Sequence, residues 1–405
     1  MNILHLTTIL AAPISTKRRE NDILVRLAAE YEKKYPGTRH HFIYITPYSN
    51  WFFALFKEKW KEYHKIIRTG TFNIGDYNVT VVGIPAFKND ILLRKIISWL
   101  GFNIFRKRIN KSITNIKPDI IQAHNMHSCI ELAELIKQKY GISYIVTDRS
   151  IEQRILNRIE KGRLLPPVVL SHNLISANRC KDLGIPLFLI PHPVDDLFIN
   201  CKTPSMPTNE NMLKIVSICG LVKRKNIDKV INALHNTKLE FSYTIFGDGP
   251  EKENLKNLVR SLNMEERVIF EGFKPHHILA RRLPSFDLLM MPSFPETFGR
   301  VYFEAMACGV PVVASKNTGI DGMIEHQLHG YLVDNRNIIN IEESIFHYVA
   351  LSPEQKMKMK MAAFTFARQF TWEVVLEKYH ALYTAYIDCL DHPPQLLLHR
   401  QPAAQ

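Results

Sequence analysis

The chain has 405 residues and carries 52 Lys and Arg against 39 Asp and Glu, a formal net charge of +13. This length exceeds one ordinary hydrophobic core, so two domains are expected, and 46% hydrophobic with 22% charged residues excludes a largely disordered chain. No apolar run approaches the ~18 residues of a membrane span, and the six scattered cysteines form neither a C-x-x-C pair nor a zinc pattern. We therefore expect a cytoplasmic protein with free thiols.

The basic charge is concentrated in the N-terminal half. Residues 1–200 contain 29 basic and 17 acidic residues, whereas residues 201–405 contain 23 and 22. Residues 51–111 contain 12 basic and 4 acidic side chains, interleaved with the aromatic residues Trp51, Phe52, Phe53, Trp60, Trp99, Phe102 and Phe105. This mixture favours an anionic membrane surface as a partner, at the inner face of the plasma membrane. The main alternative is an ordinary solvated surface. The same composition could also bind nucleic acid, but nucleic acid is not the expected partner.

Short apolar runs alternate with helix-period segments along the chain, as in parallel sheets covered by helices. In the first half, residues 22–34 are a predicted helix, and the predicted strands are 3–6, 41–45, 79–82, 119–123, 143–146 and 187–190. Apolar residues at 91–100 are followed by Arg106, Lys107, Arg108 and Lys111, which predicts an apolar helix face that ends in a cationic cluster.

The alternation restarts after a linker predicted at 204–211, which contains two prolines. The predicted strands are 213–219, 242–247, 268–272, 287–291 and 310–314, and the predicted helices are 227–236, 251–262, 277–283 and 300–308. Strand–helix–strand units in series predict an α/β protein of two Rossmann-like domains that face an interdomain cleft. The N-terminal domain is expected over 1–203 and the C-terminal domain over 204–370, with a disordered tail over 388–405.

The densest chemical signal is the string over 292–314, PSFPETFGRVYFEAMACGVPVVA. It predicts a strand end, a turn and a helix beginning near Gly299, whose free N–H groups would suit phosphate or sugar oxygens. Two carboxylates eight residues apart, such as Glu296 and Glu304, lie about 80° apart around a helix and could face one elongated ligand. A carboxylate beside a sugar accepts charge-assisted hydrogen bonds from two hydroxyls. The plainer alternative is that Glu296 only caps the helix and that Glu304 is only a surface charge.

This string resembles the donor-site signature of the retaining glycosyltransferases of family 4, which have the GT-B fold. The likeness covers most of the second half, through FGDGPE at 246–251, VIFEGF at 268–273 and FTWE at 370–373. It is thinner in the first half, at PDIIQAH over 118–124 and IPHPVD over 190–195. The resemblance implies that the domain over 1–203 binds the acceptor, that the domain over 204–370 binds the nucleotide sugar, and that a crossover helix at 371–387 returns to the first domain.

The resemblance also implies residue roles. Glu296 would bind the hydroxyls of the donor sugar, Glu304 those of the ribose, and Lys225 the diphosphate. His124, at the carboxyl end of a strand, would lie beside the reacting sugar. The remaining expected donor contacts are Thr297, Phe298, Gly299, Arg300, Gly247 and the backbone near Phe273. The family has an arginine where this chain has Gly220, and Arg224 or Arg300 is the expected replacement.

We therefore expect a retaining glycosyltransferase that moves a sugar from a UDP- or GDP-sugar to a sugar or lipid-linked glycan, in polysaccharide or glycolipid synthesis. No Asp-x-Asp motif is present, so neither a metal nor a cofactor is expected, and Lys225 with helix N–H groups would stabilise the departing diphosphate. Two alternatives stay open: a nucleotide-sugar epimerase of the same fold, and a non-enzymatic adaptor that binds membrane or RNA.

Overall fold

The computed structural model describes residues 1–8, 10, 23–48, 58–85, 94–124, 128–148, 168–205 and 212–388. It contains two compact units, each with its own core. The first comprises Met1–Ser171, Ser176–Ile190 and Leu376–Gln405, and the second His172–Ile175 and Pro191–Val375. Among the described helices, none combines the length and the apolar character that crossing a membrane requires.

The first unit is built around an eight-stranded sheet in the order β3-β4-β2-β1-β5-β6-β7-β8, in which only the β3–β4 pair is antiparallel. Its strands are β1 Asn2–Thr7, β2 Arg39–Tyr48, β3 Thr71–Ile74, β4 Tyr77–Pro85, β5 Ile120–His124, β6 Tyr144–Asp148, β7 Val169–Ser171 and β8 Leu187–Leu189. The helices along this part of the chain are α1 Ile23–Lys34, α2 Glu58–Thr69, α3 Arg94–Ile104, α4 Arg106–Ile116, α5 Ser128–Tyr140 and α6 Leu174–Asp182.

The second unit has a six-stranded parallel sheet in the order β11-β10-β9-β12-β13-β14. Its strands are β9 Leu213–Ile218, β10 Phe241–Phe246, β11 Val268–Gly272, β12 Leu288–Met290, β13 Val312–Ser315 and β14 Gly330–Val333. Its helices are α7 Asp196–Ile199, α8 Ile227–Thr237, α9 Lys252–Ser261, α10 His276–Arg282, α11 Arg300–Ala307, α12 Ile338–Ala350 and α13 Pro353–Ala367. The last helix, α14 Trp372–Asp388, begins in the second unit and belongs to the first from Leu376 onward.

The boundary between the units differs from the predicted domain boundary. The continuous part of the second unit begins at Pro191, not at residue 204, because residues after Pro191 pack on its core. The Val194 N–H donates to the Phe370 carbonyl oxygen, and Phe198 is fully buried in that core. Residues 206–211 of the predicted linker and 389–405 of the predicted tail lie outside the described residues.

The predicted cationic helix is two helices. Helix α3 ends at Ile104 and α4 begins at Arg106, so the apolar residues Trp99 and Ile104 and the cations lie on separate elements. Arg108 does not belong to a solvated cluster, because its guanidinium donates to the carbonyl oxygens of Ile67 and Val81, 3.1 and 2.8 Å away. Residues 51–57 and 86–93 of the predicted membrane-binding segment lie outside the described residues.

Candidate functional site

The site lies where the strand order of the second sheet reverses. Counted along the chain, the strands of this unit follow the order 3-2-1-4-5-6, so the chain turns back between β9 and β12. Loops that leave the carboxyl ends of two such strands diverge and open a crevice, which is the usual ligand site of open parallel sheets. Lys225 follows β9 and Glu296 follows β12.

Backbone and side-chain hydrogen bonds join these two loops. The Phe294 N–H donates to the Arg224 carbonyl oxygen at 2.8 Å, and the Arg224 guanidinium donates to the Pro295 carbonyl oxygen at 3.1 Å. The Asn226 side-chain amide donates to the Pro292 carbonyl oxygen at 2.7 Å. The sequence reasoning gave Asn226 no role, although an asparagine between a basic loop and a helix favours the left-handed backbone that it adopts here. These hydrogen bonds therefore fix the two loops against each other.

Glu296 and Lys225 form the centre of the site. Lys225 Nζ lies 2.5 Å from Glu296 Oε2, and the side chains are 11% and 9% exposed. The Ser293 hydroxyl donates to the same oxygen at 3.0 Å, and the Arg224 guanidinium lies 3.6 Å from it. The other carboxylate oxygen, Oε1, accepts from the Thr297 N–H at 3.2 Å. The sequence reasoning missed Ser293, although it lies within the string that carries the resemblance.

The pKa of the Glu296 carboxyl lies below its ordinary value. Burial alone would raise that pKa, but the charge and hydrogen bond of Lys225, the hydrogen bond of Ser293 and the charge of Arg224 outweigh it. Glu296 is therefore an anion at neutral pH, and an anionic carboxylate accepts hydrogen bonds but donates none.

Helix α11 begins four residues after Glu296, close to the predicted start near Gly299. Because Glu296 lies in the preceding turn, the angle of 80° that two residues of one helix would show does not apply. Glu304 lies inside α11, is buried, and pairs with Arg300 at 3.5 Å. Among the described residues, Nε of Arg300 has no hydrogen-bond partner. The expected ribose role of Glu304 stays a prediction.

The turn before α11 is held by parts of the chain that the sequence reasoning did not select. The Gly319 N–H donates to the Glu296 carbonyl oxygen at 2.8 Å, and the Asn173 amide donates to the Thr297 carbonyl oxygen at 2.9 Å. A Cβ atom on Gly319 would lie 1.6 Å from that Thr297 oxygen, so only glycine fits. The Phe298 ring is buried and stacks on Phe303, which leaves only the Phe298 backbone for a donor contact.

Gly247 and Phe273 follow β10 and β11 at the same carboxyl edge of the sheet. At Gly247 φ is +133°, and a Cβ atom would lie 1.8 Å from the Cys219 carbonyl oxygen, so glycine is required for the approach of two loops. Phe273 is 72% exposed beyond the end of β11. Both positions suit the predicted donor site. Gly247 lets two of its loops approach each other, and Phe273 is an exposed residue at the same edge of the sheet.

His124 is the last residue of β5 in the first unit and is buried. Its Nε2 atom lies 2.9 Å from Nδ1 of His5. The sequence reasoning predicted its place at the carboxyl end of a strand correctly, but it gave no role to His5, which looks like one more residue of an apolar strand.

Within the described part of the chain, no group of three or more His, Cys, Asp and Glu side chains is arranged to hold a metal ion. That the reaction needs neither a metal nor a cofactor stays a prediction. The charged groups that such a reaction would use lie in the loops described above.

Comparison with known proteins identifies what this chain is similar to. Residues 202–365 match the family model for glycosyl transferases group 1. The chain is 29% identical over 288 residues to the N-acetyl-alpha-D-glucosaminyl L-malate synthase of Bacillus anthracis, which covers 65% of this chain and 74% of that protein. It is 32% identical over 141 residues to a putative colanic acid biosynthesis glycosyltransferase of Salmonella typhimurium, and it spans about a third (34%) of that relative, with 33% of this chain aligned.

Among solved structures, the chain is similar to Anabaena Alr3699/HepE in complex with UDP and glucose, with a TM-score of 0.64 and 18% identity over 95% of this chain and 100% of that chain. This likeness shows the GT-B fold. Taken with the family model and the relatives, it supports a glycosyltransferase enzyme, as the sequence predicts.

Proposed function

We propose that this protein is a retaining glycosyltransferase of the family 4 type, which transfers a hexose from a nucleoside diphosphate sugar to a hydroxyl group of a glycan. The observation that carries the proposal is the Lys225–Glu296 pair at the reversal of strand order, directly before the N-terminus of α11. The Anabaena structure with UDP and glucose favours a UDP-sugar, and the colanic acid relative favours a polysaccharide or its lipid-linked precursor as acceptor.

The pair offers opposite charges to the two halves of such a donor. The ammonium group of Lys225 has three N–H donors and gives one to Glu296, so it can donate others to a diphosphate. The Glu296 carboxylate can accept from two neighbouring sugar hydroxyls, and such charge-assisted bonds are strong. The first N–H groups of α11, with the positive end of its dipole, add a second anion contact. Arg224 is the nearest further cation and takes the place that the family gives to an arginine at Gly220.

In the reaction, the bond between the anomeric carbon and the diphosphate oxygen breaks while a bond to the acceptor oxygen forms on the same face. The acceptor hydroxyl loses its proton to the departing phosphate oxygen, so no side-chain base is needed. Lys225 and the helix N–H groups stabilise the negative charge that grows on the diphosphate, which is where preorganised electrostatics contribute most. His124 is assigned to the pocket of the reacting sugar.

We further propose that the first unit docks on an anionic membrane surface, which would bring the enzyme to a lipid-linked acceptor. Trp99 and Ile104 of α3 are each 53% exposed, and Leu100 is 38% exposed. Helix α2 lines a basic depression of about 400 Å³, formed by Lys61, His64, Lys65, Arg68 and Thr69. Arg108 of α4 is bonded to the α2 carbonyl of Ile67, so the two basic helices are neighbours. An exposed aromatic side chain and basic helices in the same unit favour an anionic lipid surface.

A screen of UDP- and GDP-hexoses labelled in the sugar tests the enzymatic proposal. We expect slow release of free hexose, faster transfer when glycan acceptors are added, and a product whose anomeric configuration equals that of the donor by NMR. Recovery of the label in an isomer of the donor would instead establish the epimerase. Absence of turnover and of nucleotide binding with every donor would overturn the proposal.

A further inference from the structure

Three buried histidines form a continuous hydrogen-bonded row in the first unit. Nδ1 of His40 lies 2.7 Å from Nε2 of His5, and Nδ1 of His5 lies 2.9 Å from Nε2 of His124. Neighbouring ring centroids are 5.0 and 5.1 Å apart, and all three side chains are at most 3% exposed. The row ends at His124, the residue to which the proposed function gives a role beside the reacting sugar.

Strand register explains why the row forms. The three histidines lie on β2, β1 and β5, which are consecutive in the sheet. His40 is opposite Ile3 and His5 is opposite Gln122, so each histidine lies two residues nearer the carboxyl edge than the one before. Because residues two apart point to the same face of a sheet, the rings follow a diagonal that ends at His124.

The row can hold its protons in only two ways. Burial lowers the pKa of His5 and, to about 3, that of His40, so both rings are neutral at pH 7 and each carries one N–H. Each ring-to-ring hydrogen bond needs one proton between its two nitrogens. With His124 neutral as well, either all three rings carry the proton on Nε2, or all three carry it on Nδ1. A neutral His5 therefore forces the tautomers of its two neighbours to agree.

The surroundings of His40 select one of these arrangements. Among the described residues, Nε2 of His40 has no hydrogen-bond partner, and the Tyr31 and Tyr383 rings form T-shaped pairs with the His40 ring, with centroids 5.2 and 6.5 Å away. In a T-shaped pair the edge of one ring meets the face of the other, and because aromatic faces are negative, an N–H suits the edge of His40 better than a lone pair in such a pair. Other polar groups of the described residues around the row include His41, the Glu32 carboxylate on the His40 N–H, His380 on Tyr31, and Gln122, which accepts from Tyr383.

We propose that His5 and His40 are positioning residues that hold His124 as the Nε2–H tautomer, with its Nδ1 as a hydrogen-bond acceptor. His124 then donates to His5, which donates to His40. The value of this tautomer for catalysis rests on the proposed function, whereas the coupling of the three rings does not depend on it. Neither His5 nor His40 touches substrate, and both act through His124.

The experiment is NMR of the full chain labelled with ¹⁵N-histidine, because imidazole ¹⁵N shifts report the tautomer directly. His5→Phe keeps a flat ring against Phe42 but removes both nitrogens. The matched control is His41→Phe, next to His40 on β2 but outside the row. We expect His124 to be a single Nε2–H tautomer in the wild type and in the control, and a mixture of tautomers in His5→Phe. Unchanged His124 shifts in a folded His5→Phe variant would overturn the coupling.

His40→Phe provides a second test that keeps the bond between His5 and His124. It should also give mixed tautomers, because the selecting ring is gone, and a single Nε2–H form in this variant would overturn the role of His40. With UDP-glucose, or whichever donor turns over, kcat of His5→Phe should fall about tenfold, or about 1.4 kcal/mol, while KM for the donor stays within twofold. Mixed tautomers with unchanged kcat would overturn the positioning role. Absence of turnover in the wild type would count against the proposed function and leave the NMR result standing.

Discussion

Lys225 Nζ lies 2.5 Å from Glu296 Oε2 and thereby joins the loops that follow β9 and β12. Both side chains are about nine-tenths buried, so removing either one leaves the other as a buried charge without its partner. The pair therefore shapes the site and also contributes to the stability of the second unit, and these two contributions can be measured separately.

The first prediction concerns the diphosphate contact of Lys225. Lys225→Ala should weaken binding of UDP about tenfold or more and leave binding of uridine nearly unchanged, because the lysine would touch only phosphate. Isothermal titration calorimetry with both ligands measures this difference. Lys223→Ala is the matched control, since Lys223 is an exposed lysine of the same loop. Equal losses for UDP and uridine would place Lys225 outside the phosphate site.

The second prediction concerns the pH dependence of stability. The pKa of Glu296 is lowered on folding, so its contribution to stability is present above the unfolded pKa of about 4.5 and is lost as the pH falls through the lower, folded value. Melting temperatures of wild type and Glu296→Gln should differ most at pH 6–7 and should approach each other as the pH falls below about 4.5 and through the lower, folded pKa. A difference that stays constant from pH 7 to pH 3 would show that the ionised carboxylate does not stabilise the fold.

The third prediction concerns Gly247. A Cβ atom there would lie 1.8 Å from the Cys219 carbonyl oxygen, whereas at Gly220 the nearest atom, the Asp248 carbonyl oxygen, lies 3.9 Å away. Gly247→Ala should cost about 2–4 kcal/mol of unfolding free energy, and Gly220→Ala should change it by less than about 0.5 kcal/mol. Urea unfolding of both variants provides the test. Similar stability of the two variants would contradict the close approach of the β9 and β10 loops.

The fourth prediction concerns membrane docking. The full chain should float with anionic but not with neutral vesicles, and salt near 1 M should abolish the binding because the Debye length falls to ~3 Å. Combined replacement of the exposed residues Arg106, Lys107 and Lys111 by Gln should remove about 1 kcal/mol of attraction per residue. Arg108 should be spared, because its guanidinium bonds hold α4 to α2 and β4.

The matched control for docking places the same loss of charge on the second unit, at Lys252, Lys256 and Arg260 of α9. This variant should float as the wild type does. If the wild type fails to float at low salt, or if both triple variants lose binding equally, the basic surface of the first unit is not a membrane-docking surface.

Periodicity and composition predicted much of the fold. Strands β9 to β12 lie within two residues of their predicted bounds, because each is an apolar run that ends at glycine, proline or a polar turn. The reasoning missed β3, β7 and β14. Strand β3 alternates exposed and half-buried residues at a sheet edge, and β7 has only three residues. Such strands exist through pairing with neighbours distant in sequence, which no local pattern encodes.

The candidate site was only partly accessible to sequence reasoning. Glu296 and Lys225 could be selected from motifs, but they are 71 positions apart in the sequence. Their contact follows from β9 and β12 being neighbours in the sheet. Glu304 was expected to face the ligand together with Glu296, but Glu296 lies before α11, so the relative direction of the two side chains does not follow from helix geometry. His5 and Asn173 gave no local signal, because each acquires its role only from the residue it bonds.

The most direct test of the glycosyltransferase site is the turnover of the best labelled nucleotide sugar by the wild type and by Glu296→Gln. The substitution keeps the shape of the side chain but weakens its charge-assisted bonds to sugar hydroxyls, at about 1.5–3 kcal/mol each, or roughly ten- to a hundredfold in rate per bond. The account predicts that wild-type protein transfers the sugar with retention and that a folded Glu296→Gln variant loses at least a hundredfold in kcat/KM. A folded variant with near-normal turnover would contradict it.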